Sequence, residues 1–193
     1  MIVYTSSFGK YDKDYLSADI RYDEVYNPYS GCVQEFSDRM KAKMYKVLNP
    51  DNLDIWIDAS TEIINRQGLE DLFRGDLCVF KHPFHKNVGE ELEACHKLGY
   101  IDDNEKNRIV DLYKSSDMDV DDVSVYACGI IYRNNNTIKF NRLWWSLISQ
   151  FSFRDQLTFP FALAMMTNLE VNIIDYDIFD NKFFVINTHN KKK

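Results

Sequence analysis

The stretch LWWSLISQFSFRDQLTF, residues 143–159, predicts two helices that meet at a polar corner. Its first half carries apolar side chains at helical spacing, which are expected to form one buried stripe with Trp145 at the margin. The stripe consists of Leu143, Trp144, Leu147, Ile148 and Phe151. Either Trp144 or Trp145 could stack on a sugar or base, and packing in the core is at least as good an interpretation.

The second half of the stretch places polar groups at the start of a helix. Ser152 and Asp155 have the spacing of a capping box, so Arg154, Asp155 and Gln156 are expected in the first helical turn. The positive end of the helix dipole stabilises a carboxylate there, which makes Asp155 either a cap or a chemical group. Pro160 would cost about 3 kcal/mol inside a helix, so a short turn that aims the triplet into a cleft is expected.

The composition is that of a globular protein. The 193 residues are 45% hydrophobic and 15% aromatic, which excludes disordered and collagen-like classes. The length predicts a single domain over residues 1–190, followed by a basic tail at 191–193. The four cysteines show no CxxC spacing and are expected to be buried free thiols.

Charge and hydropathy limit the partners. A net charge of −7 argues against charge-driven binding to nucleic acid or to an anionic membrane. The sequence has no signal-like N-terminus and no run of 18 apolar residues. We therefore expect a soluble, cytoplasmic protein without membrane attachment.

Strand and helix signals alternate along the chain, which indicates an α/β fold. Residues 171–179 and 183–187 suggest a closing hairpin, so a mixed sheet is expected rather than a purely parallel one. The predicted helices cover residues 36–48, 62–73, 90–98 and 103–114, and the other predicted strands cover 2–5, 53–59, 77–80, 125–132 and 137–140.

Polar side chains follow two of the predicted strands. Asp58 ends the strand LDIWIDA, where it could cap the next helix or hold a divalent ion or a ribose. His82 and His85 follow the strand LCVF, and Pro83 between them disfavours a helical zinc pair. Hydrogen bonds from these histidines to a phosphate or a sugar are the better interpretation.

Several cations could neutralise a pyrophosphate, although a solvated helix face would also explain any one of them. They are Arg39, Lys43, Lys46 and Arg133. The sequence contains no GxGxxG, Walker, GxSxG or HExxH motif, which disfavours dinucleotide oxidoreductases, P-loop ATPases and serine hydrolases. Carboxylates and cations at strand ends suit transfer from an activated, phosphate-bearing donor.

Six segments, in the same order, resemble the GT-A-like glycosyltransferase family of plant mucilage- and turgor-related proteins and bacterial polysaccharide-cluster proteins. The resemblance runs from residue 3 to about residue 164 and is most specific in the WID strand and the WWxxI…SxRDQLxF block. The segments are YTSSFGKYD, DRMKAKMYKVLNP, LDIWIDAS, FKHPFHKNVGEELEAC, GIIYR and LWWSLISQFSFRDQLTFPFAL.

The resemblance implies a compact GT-A-like, Rossmann-type sheet and a hexosyl- or pentosyltransferase that uses a nucleotide sugar such as a UDP-sugar. It implies an Mn²⁺ or Mg²⁺ ion at Asp58, the first position of an Asp-x-Asp motif, but Ser60 replaces the second aspartate. Asp155 would lie at the reaction centre, with Arg154 and Gln156 orienting sugar or phosphate. The nucleotide pocket would be lined by Tyr4, Asp12 and Lys46.

The acceptor stays open at this level. A polysaccharide hydroxyl is the default, and a modified DNA base is a minor alternative that the acidic charge disfavours. Ser60 also keeps open a catalytically degenerate module that binds a nucleotide or sugar without turnover. A lipid hydrolase is disfavoured, because neither a membrane segment nor a zinc triad is evident.

Overall fold

The computed structural model describes residues 1–8, 17–23, 37–49 and 51–187. Asp12, which the resemblance placed in the nucleotide pocket, and the basic tail at 191–193 lie outside these ranges. The division into a domain at 1–190 and a tail stays a prediction.

A six-stranded mixed sheet forms the centre of the fold, in the order β2-β1-β3-β6-β5-β7. Every strand runs parallel to its sheet neighbours except β6, which is antiparallel to β3 and β5. A second sheet pairs β4 with β8. The strands are β1 (Val3–Ser6), β2 (Ile20–Tyr22), β3 (Ile55–Ile57), β4 (Thr61–Ile63), β5 (Leu77–Lys81), β6 (Tyr126–Arg133), β7 (Val171–Ile174) and β8 (Phe184–Ile186).

Six α-helices accompany the sheets in the described part of the chain. Ser37 caps the first by accepting a hydrogen bond from the Met40 amide, and Asp102 caps the fourth in the same way through Glu105. The helices are α1 (Asp38–Leu48), α2 (Arg66–Glu70), α3 (Val88–Lys97), α4 (Asp103–Lys114), α5 (Ile138–Gln150) and α6 (Asp155–Ala164). None of these helices has both the length and the apolar surface needed to cross a bilayer.

Successive strand residues point to opposite sides of the sheet, so they show whether each face is covered. Both faces of the main sheet are buried. In β3, Trp56 belongs to the core cluster that contains residues of α1, α3, α4, α5 and α6. Its neighbours Ile55 and Ile57 belong to a second cluster with Leu69 of α2 and Phe184 of β8. The mixed α/β architecture with flanking helices is therefore confirmed.

Three sequence predictions outside the α5–α6 corner are wrong. β7 and β8 form no hairpin, since β7 extends the main sheet beside β5 and β8 pairs with β4. Residues 137–140 form no strand: the Asn134 side chain accepts from the Asn136 amide and starts a short 3₁₀ turn that leads into α5. The helix predicted at 62–73 is shorter, because β4 occupies its beginning.

The α5–α6 corner keeps the predicted stripe but differs at the cap and at the proline. The helix begins at Asp155, and the Ser152 hydroxyl accepts from the Arg154 amide at 3.0 Å instead of capping Asp155. Pro160 lies inside α6, so the expected break is wrong. The proline removes one backbone bond, while burial of the neighbouring Phe159 and Phe161 in the core favours the continuous helix.

Candidate functional site

A cavity of about 120 Å³ opens at the carboxyl ends of β1 and β3, beside α1. The parallel strands of the main sheet all end at this edge, where α/β proteins commonly bind ligands. The lining residues come from β1, α1 and the end of β3, and are Ser6, Ala42, Lys43, Lys46, Trp56, Asp58 and Ala59.

Two lysines of α1 meet the carboxylate of Asp155 at this cavity. The Lys43 ammonium lies 2.5 Å from Oδ1 of Asp155, and the Lys46 ammonium lies 2.7 Å from Oδ2. Asp155 is 5% exposed and Lys46 is 3% exposed. The first residue of α6 therefore joins that helix to α1 through an ion triad in which Asp155 and Lys46 are buried and Lys43 is partly exposed, and which we call the Lys43–Lys46–Asp155 triad.

The charge states in the triad follow from burial and pairing. Burial alone would raise the pKa of Asp155, but Lys43 and Lys46 outweigh it and hold the pKa well below its usual range. Burial would lower the pKa of Lys46, but Asp155 and Asp58 together raise it. At Lys43 burial prevails over the attraction of Asp155, and the pKa is lowered.

Asp58 lies at the rim of the cavity with its side chain 47% exposed. Its Oδ1 accepts a hydrogen bond from Nε1 of Trp56 at 2.9 Å and lies 3.4 Å from the Lys46 ammonium. Its amide donates to the Gly129 carbonyl of β6 at 2.8 Å, which fixes the strand end. The exposure of this carboxylate makes it accessible to a ligand hydroxyl.

Arg39 extends the basic face of α1 toward solvent. Positions 39, 43 and 46 fall on one side of a helix, so Arg39 lies about two turns before Lys46. Its exposed guanidinium stacks over Phe153 at 5.0 Å from the ring centre. The contact holds Arg39 beside the α5–α6 corner, on the approach to the lysines.

A second polar cluster lies around Glu91 of α3, whose side chain is only 6% exposed. Nδ1 of His85 lies 2.6 Å from Oε2 of Glu91, and Nε2 of His82 lies 3.6 Å from the same oxygen. On the other oxygen, the Cys95 thiol donates at 3.2 Å and the Arg154 guanidinium lies 3.8 Å away. The burial of Cys95 raises the pKa of its thiol to about 11.

The ligand atoms of His82, His85 and Glu91 lie within 4.8 Å of one another, a spacing that could surround a metal ion. The hydrogen bonds of His82 oppose that use. Its Nδ1 accepts from the His85 amide at 3.0 Å, so in a neutral ring Nε2 carries the proton and cannot bind a metal. Burial lowers the pKa of His82 although Glu91 acts in the opposite direction, so the His82 ring stays neutral. The positive charge of the nearby Arg154 further disfavours a bound metal cation.

Tyr4 and Arg133 lie beneath the site rather than in it, since both side chains are 0% exposed. The Arg133 guanidinium donates to the carbonyls of Lys46 and Val47 at the end of α1, to Asn141 and to the Tyr4 hydroxyl. The sequence placed both side chains against the donor, but their burial makes them supports that fix the end of α1 and with it the position of Lys46.

The remaining predicted residues are distributed around the corner. Trp144 is fully buried and donates to the Asp155 carbonyl at 3.2 Å, so it cannot contact an acceptor in this structure. Trp145 is partly buried against the same core. Gln156 donates to the Tyr126 carbonyl at 3.4 Å and links α6 to β6, while Arg154 lies over the Tyr100 ring.

A family model described as TOD1/MUCI70, glycosyltransferase-like domain, matches residues 39–189. The chain belongs to the TOD1/MUCI70 glycosyltransferase-like family. Comparisons with curated proteins and with solved structures gave no match. The matched range contains both lysines of the triad, Asp155, Asp58 and the Glu91 cluster, and of the residues that line the cavity Ser6 lies outside it. The resemblance noted in the sequence is confirmed.

Sequence reasoning underrated two residues of the TOD1/MUCI70 chain. Lys43 was one cation among several, although its spacing from Arg39 and Lys46 already placed the three on one helical face. Glu91 was not identified, because a glutamate in the first turn of a helix is usually explained by its favourable interaction with the helix dipole. Its position six residues after His85, in the turn that follows the histidine loop, was the available signal.

Proposed function

We propose that this TOD1/MUCI70 protein transfers a sugar from a nucleoside diphosphate sugar to a hydroxyl acceptor. The observation that carries the proposal is the convergence of Lys43 and Lys46 on a cavity at the carboxyl edge of the sheet. Membership of a glycosyltransferase-like family supports the reaction class. The cavity supplies what such a donor needs first, which is concentrated positive charge for the diphosphate.

The lysines keep donors for a ligand after their contacts with Asp155. An ammonium group has three N–H donors, and the described carboxylate contacts take one from Lys43 and at most two from Lys46. Arg39 adds a third cation on the solvent side. A diphosphate in the cavity would therefore meet oriented N–H groups in a partly dry site, where such contacts are strongest.

Bond cleavage would build negative charge on the oxygen that joins the sugar to the diphosphate. Preorganised ammonium groups stabilise this charge more in the transition state than in the bound donor, which is the condition for catalysis. Asp58, half-exposed at the rim, would accept a hydrogen bond from a ribose or sugar hydroxyl.

Asp155 serves this scheme best as the group that positions the lysines. A general base works best with a pKa near the operating pH, whereas the two lysines hold the pKa of Asp155 far below it. Its carboxylate is also buried and has an ammonium group at each oxygen. We therefore assign proton transfer to another residue.

A divalent ion at Asp58 fits the described residues poorly. One carboxylate is available, its Oδ1 already accepts from Trp56, and the Lys46 ammonium lies 3.4 Å away. Ser60, at the position of a second aspartate, is buried. Hard ions such as Mg²⁺ and Mn²⁺ favour sites with more negatively charged oxygen ligands. In this proposal Lys43 and Lys46, rather than a metal ion, neutralise the negative charge of the diphosphate.

A panel of nucleoside diphosphate sugars tests the proposal, with hydrolysis and transfer followed by release of the nucleoside diphosphate. We expect turnover with at least one donor and similar donor affinity in EDTA and in Mn²⁺, because the lysines neutralise the diphosphate. Binding without any turnover would show a degenerate module instead. Loss of donor binding in EDTA would contradict the role given to the lysines.

A further inference from the structure

We propose that His85, oriented by Glu91, accepts the proton of the acceptor hydroxyl during sugar transfer. This proposal rests on the proposed function and gives that reaction the base that Asp155 cannot supply. It also moves the histidine loop from the donor, where the sequence placed it, to the acceptor side of the site.

The contact with Glu91 decides which nitrogen of His85 is basic. A carboxylate only accepts hydrogen bonds, so the 2.6 Å contact requires the proton on Nδ1 of His85. In the neutral ring the lone pair then lies on Nε2, which is the atom that can take a proton. The side chain of His85 is 26% exposed, so a substrate can reach the ring.

The surroundings hold this arrangement in place. The His85 amide donates to Nδ1 of His82, and the two imidazole rings stack at 5.0 Å. Glu91 is held in turn by the Cys95 thiol and by Arg154. Nδ1 of His85 therefore donates to a buried carboxylate that other side chains hold in place. This is the geometry of the histidine–carboxylate pairs that serve as general bases.

The histidine loop and the cavity share one edge of the sheet. His82 directly follows β5, and Asp58 directly follows β3, with β6 between the two strands. Asp58 lies beside Gly129 and Lys81 beside Tyr126, so two strand spacings and three residues separate the strand ends, about 14 Å between Cα atoms. Arg154, next to Asp155 in the chain, bridges the two clusters through Glu91.

Two exposed aromatic rings mark the acceptor side. Phe84, the neighbour of His85, is 71% exposed, and its ring stacks at 5.5 Å on Phe179, which is 58% exposed. Large apolar rings in solvent are typical of interaction sites. Beside a base that needs a hydroxyl group, this pair suits the apolar face of a sugar ring, so a carbohydrate is the acceptor class.

The step balances without any further reactant. The acceptor oxygen forms a bond to the anomeric carbon while its proton passes to Nε2 of His85. The bond between that carbon and the diphosphate oxygen breaks, and the electron pair leaves with the nucleoside diphosphate. The Glu91 carboxylate stabilises the imidazolium ion, which afterwards loses its proton to solvent.

His85→Ala tests the proposal, with His96→Ala as the matched control. His96 also contacts a carboxylate, Asp103 at 2.9 Å, but on the far end of α3. We expect His85→Ala to lower kcat for transfer by about 100- to 10,000-fold with unchanged nucleoside diphosphate affinity, and added imidazole to restore part of it. His96→Ala is expected to behave as wild type. Wild-type kcat in His85→Ala would overturn the assignment.

A second measurement needs no activity. Long-range ¹H–¹⁵N NMR of the imidazole rings should show the proton of His85 on Nδ1, and Glu91→Gln should populate the Nε2–H form because an amide can donate to Nδ1. A wild-type proton on Nε2 would refute the geometry. If the wild type turns over no donor, the proposed function fails and the proton role fails with it. If both wild type and His85→Ala transfer sugar, only the His85 assignment fails.

Discussion

Replacing Asp155 by Asn is expected to destabilise the fold and to abolish sugar transfer together. The substitution removes the carboxylate between Lys43 and Lys46 and leaves only the half-exposed Asp58 beside Lys46, and breaking a buried ion pair costs about 3–5 kcal/mol. For a chain of this size each kcal/mol lowers Tm by roughly 2–4 °C, so a loss of roughly 6–20 °C is expected in thermal unfolding. Transfer falls because the lysines no longer hold their positions.

The pH dependence gives this prediction a second readout. The pKa of Asp155 is lower in the folded protein than in the unfolded chain, so its stabilising effect is complete above the unfolded value of about 4. The effect is lost as the pH falls below that value toward the folded pKa. The difference in stability between wild type and Asp155→Asn should therefore be constant near neutrality and shrink in acid.

Asp122→Asn is the matched control, because Asp122 is exposed in a loop and the substitution removes the same charge. It should leave Tm and turnover unchanged. A stable Asp155→Asn protein that retains transfer would show that Asp155 is neither the support of the lysines nor a part of the site. Full stability with loss of transfer would instead favour a direct chemical role.

Replacing Lys46 by Met is expected to weaken nucleoside diphosphate binding by about 10- to 100-fold. This is the loss of affinity expected when one charge-assisted hydrogen bond is removed. Methionine keeps much of the buried apolar stem, and Lys43 still neutralises Asp155. The loss should therefore appear mainly in affinity, measured by isothermal titration with a nucleoside and with its diphosphate. Only the diphosphate should lose affinity.

Lys114→Met provides the control for Lys46, since Lys114 is an exposed lysine at the end of α4. It should bind the diphosphate as wild type does. Equal affinity in wild type and Lys46→Met, with the fold intact, would place the diphosphate away from the cavity.

The sequence predicted best those elements in which the spacing of apolar residues shows which side of the strand or helix is buried. Alternation around Trp56 predicted β3, and helical spacing predicted α1 and the stripe on α5. Strand partners were not predictable, because the pairing of β7 with β5 and of β8 with β4 depends on contacts far apart in the chain. The helix through Pro160 was missed because burial of its neighbours is a tertiary effect.

Some residues that the sequence selected as site candidates lie together in the structure, whereas the contacts between side chains were not predicted. Asp58 was selected as a strand end, Asp155 as a helix start and Lys46 as a helix cation that the resemblance placed in the nucleotide pocket, and the structure brings the three together. Arg133 looked like a phosphate ligand because a sequence shows the charge of a residue and not its burial. The pairing of His85 with Glu91 was missed, since neither residue alone departs from an ordinary loop or helix and their spacing of six residues was the one signal in the sequence.

A structure of the protein bound to a nucleoside diphosphate, prepared in EDTA, tests the central claim most directly. The account predicts the diphosphate in the cavity between β1, β3 and α1, with its oxygens at hydrogen-bond distance from the ammonium groups of Lys43 and Lys46. A diphosphate bound elsewhere on the chain, or one in the cavity that contacts neither lysine, would contradict it.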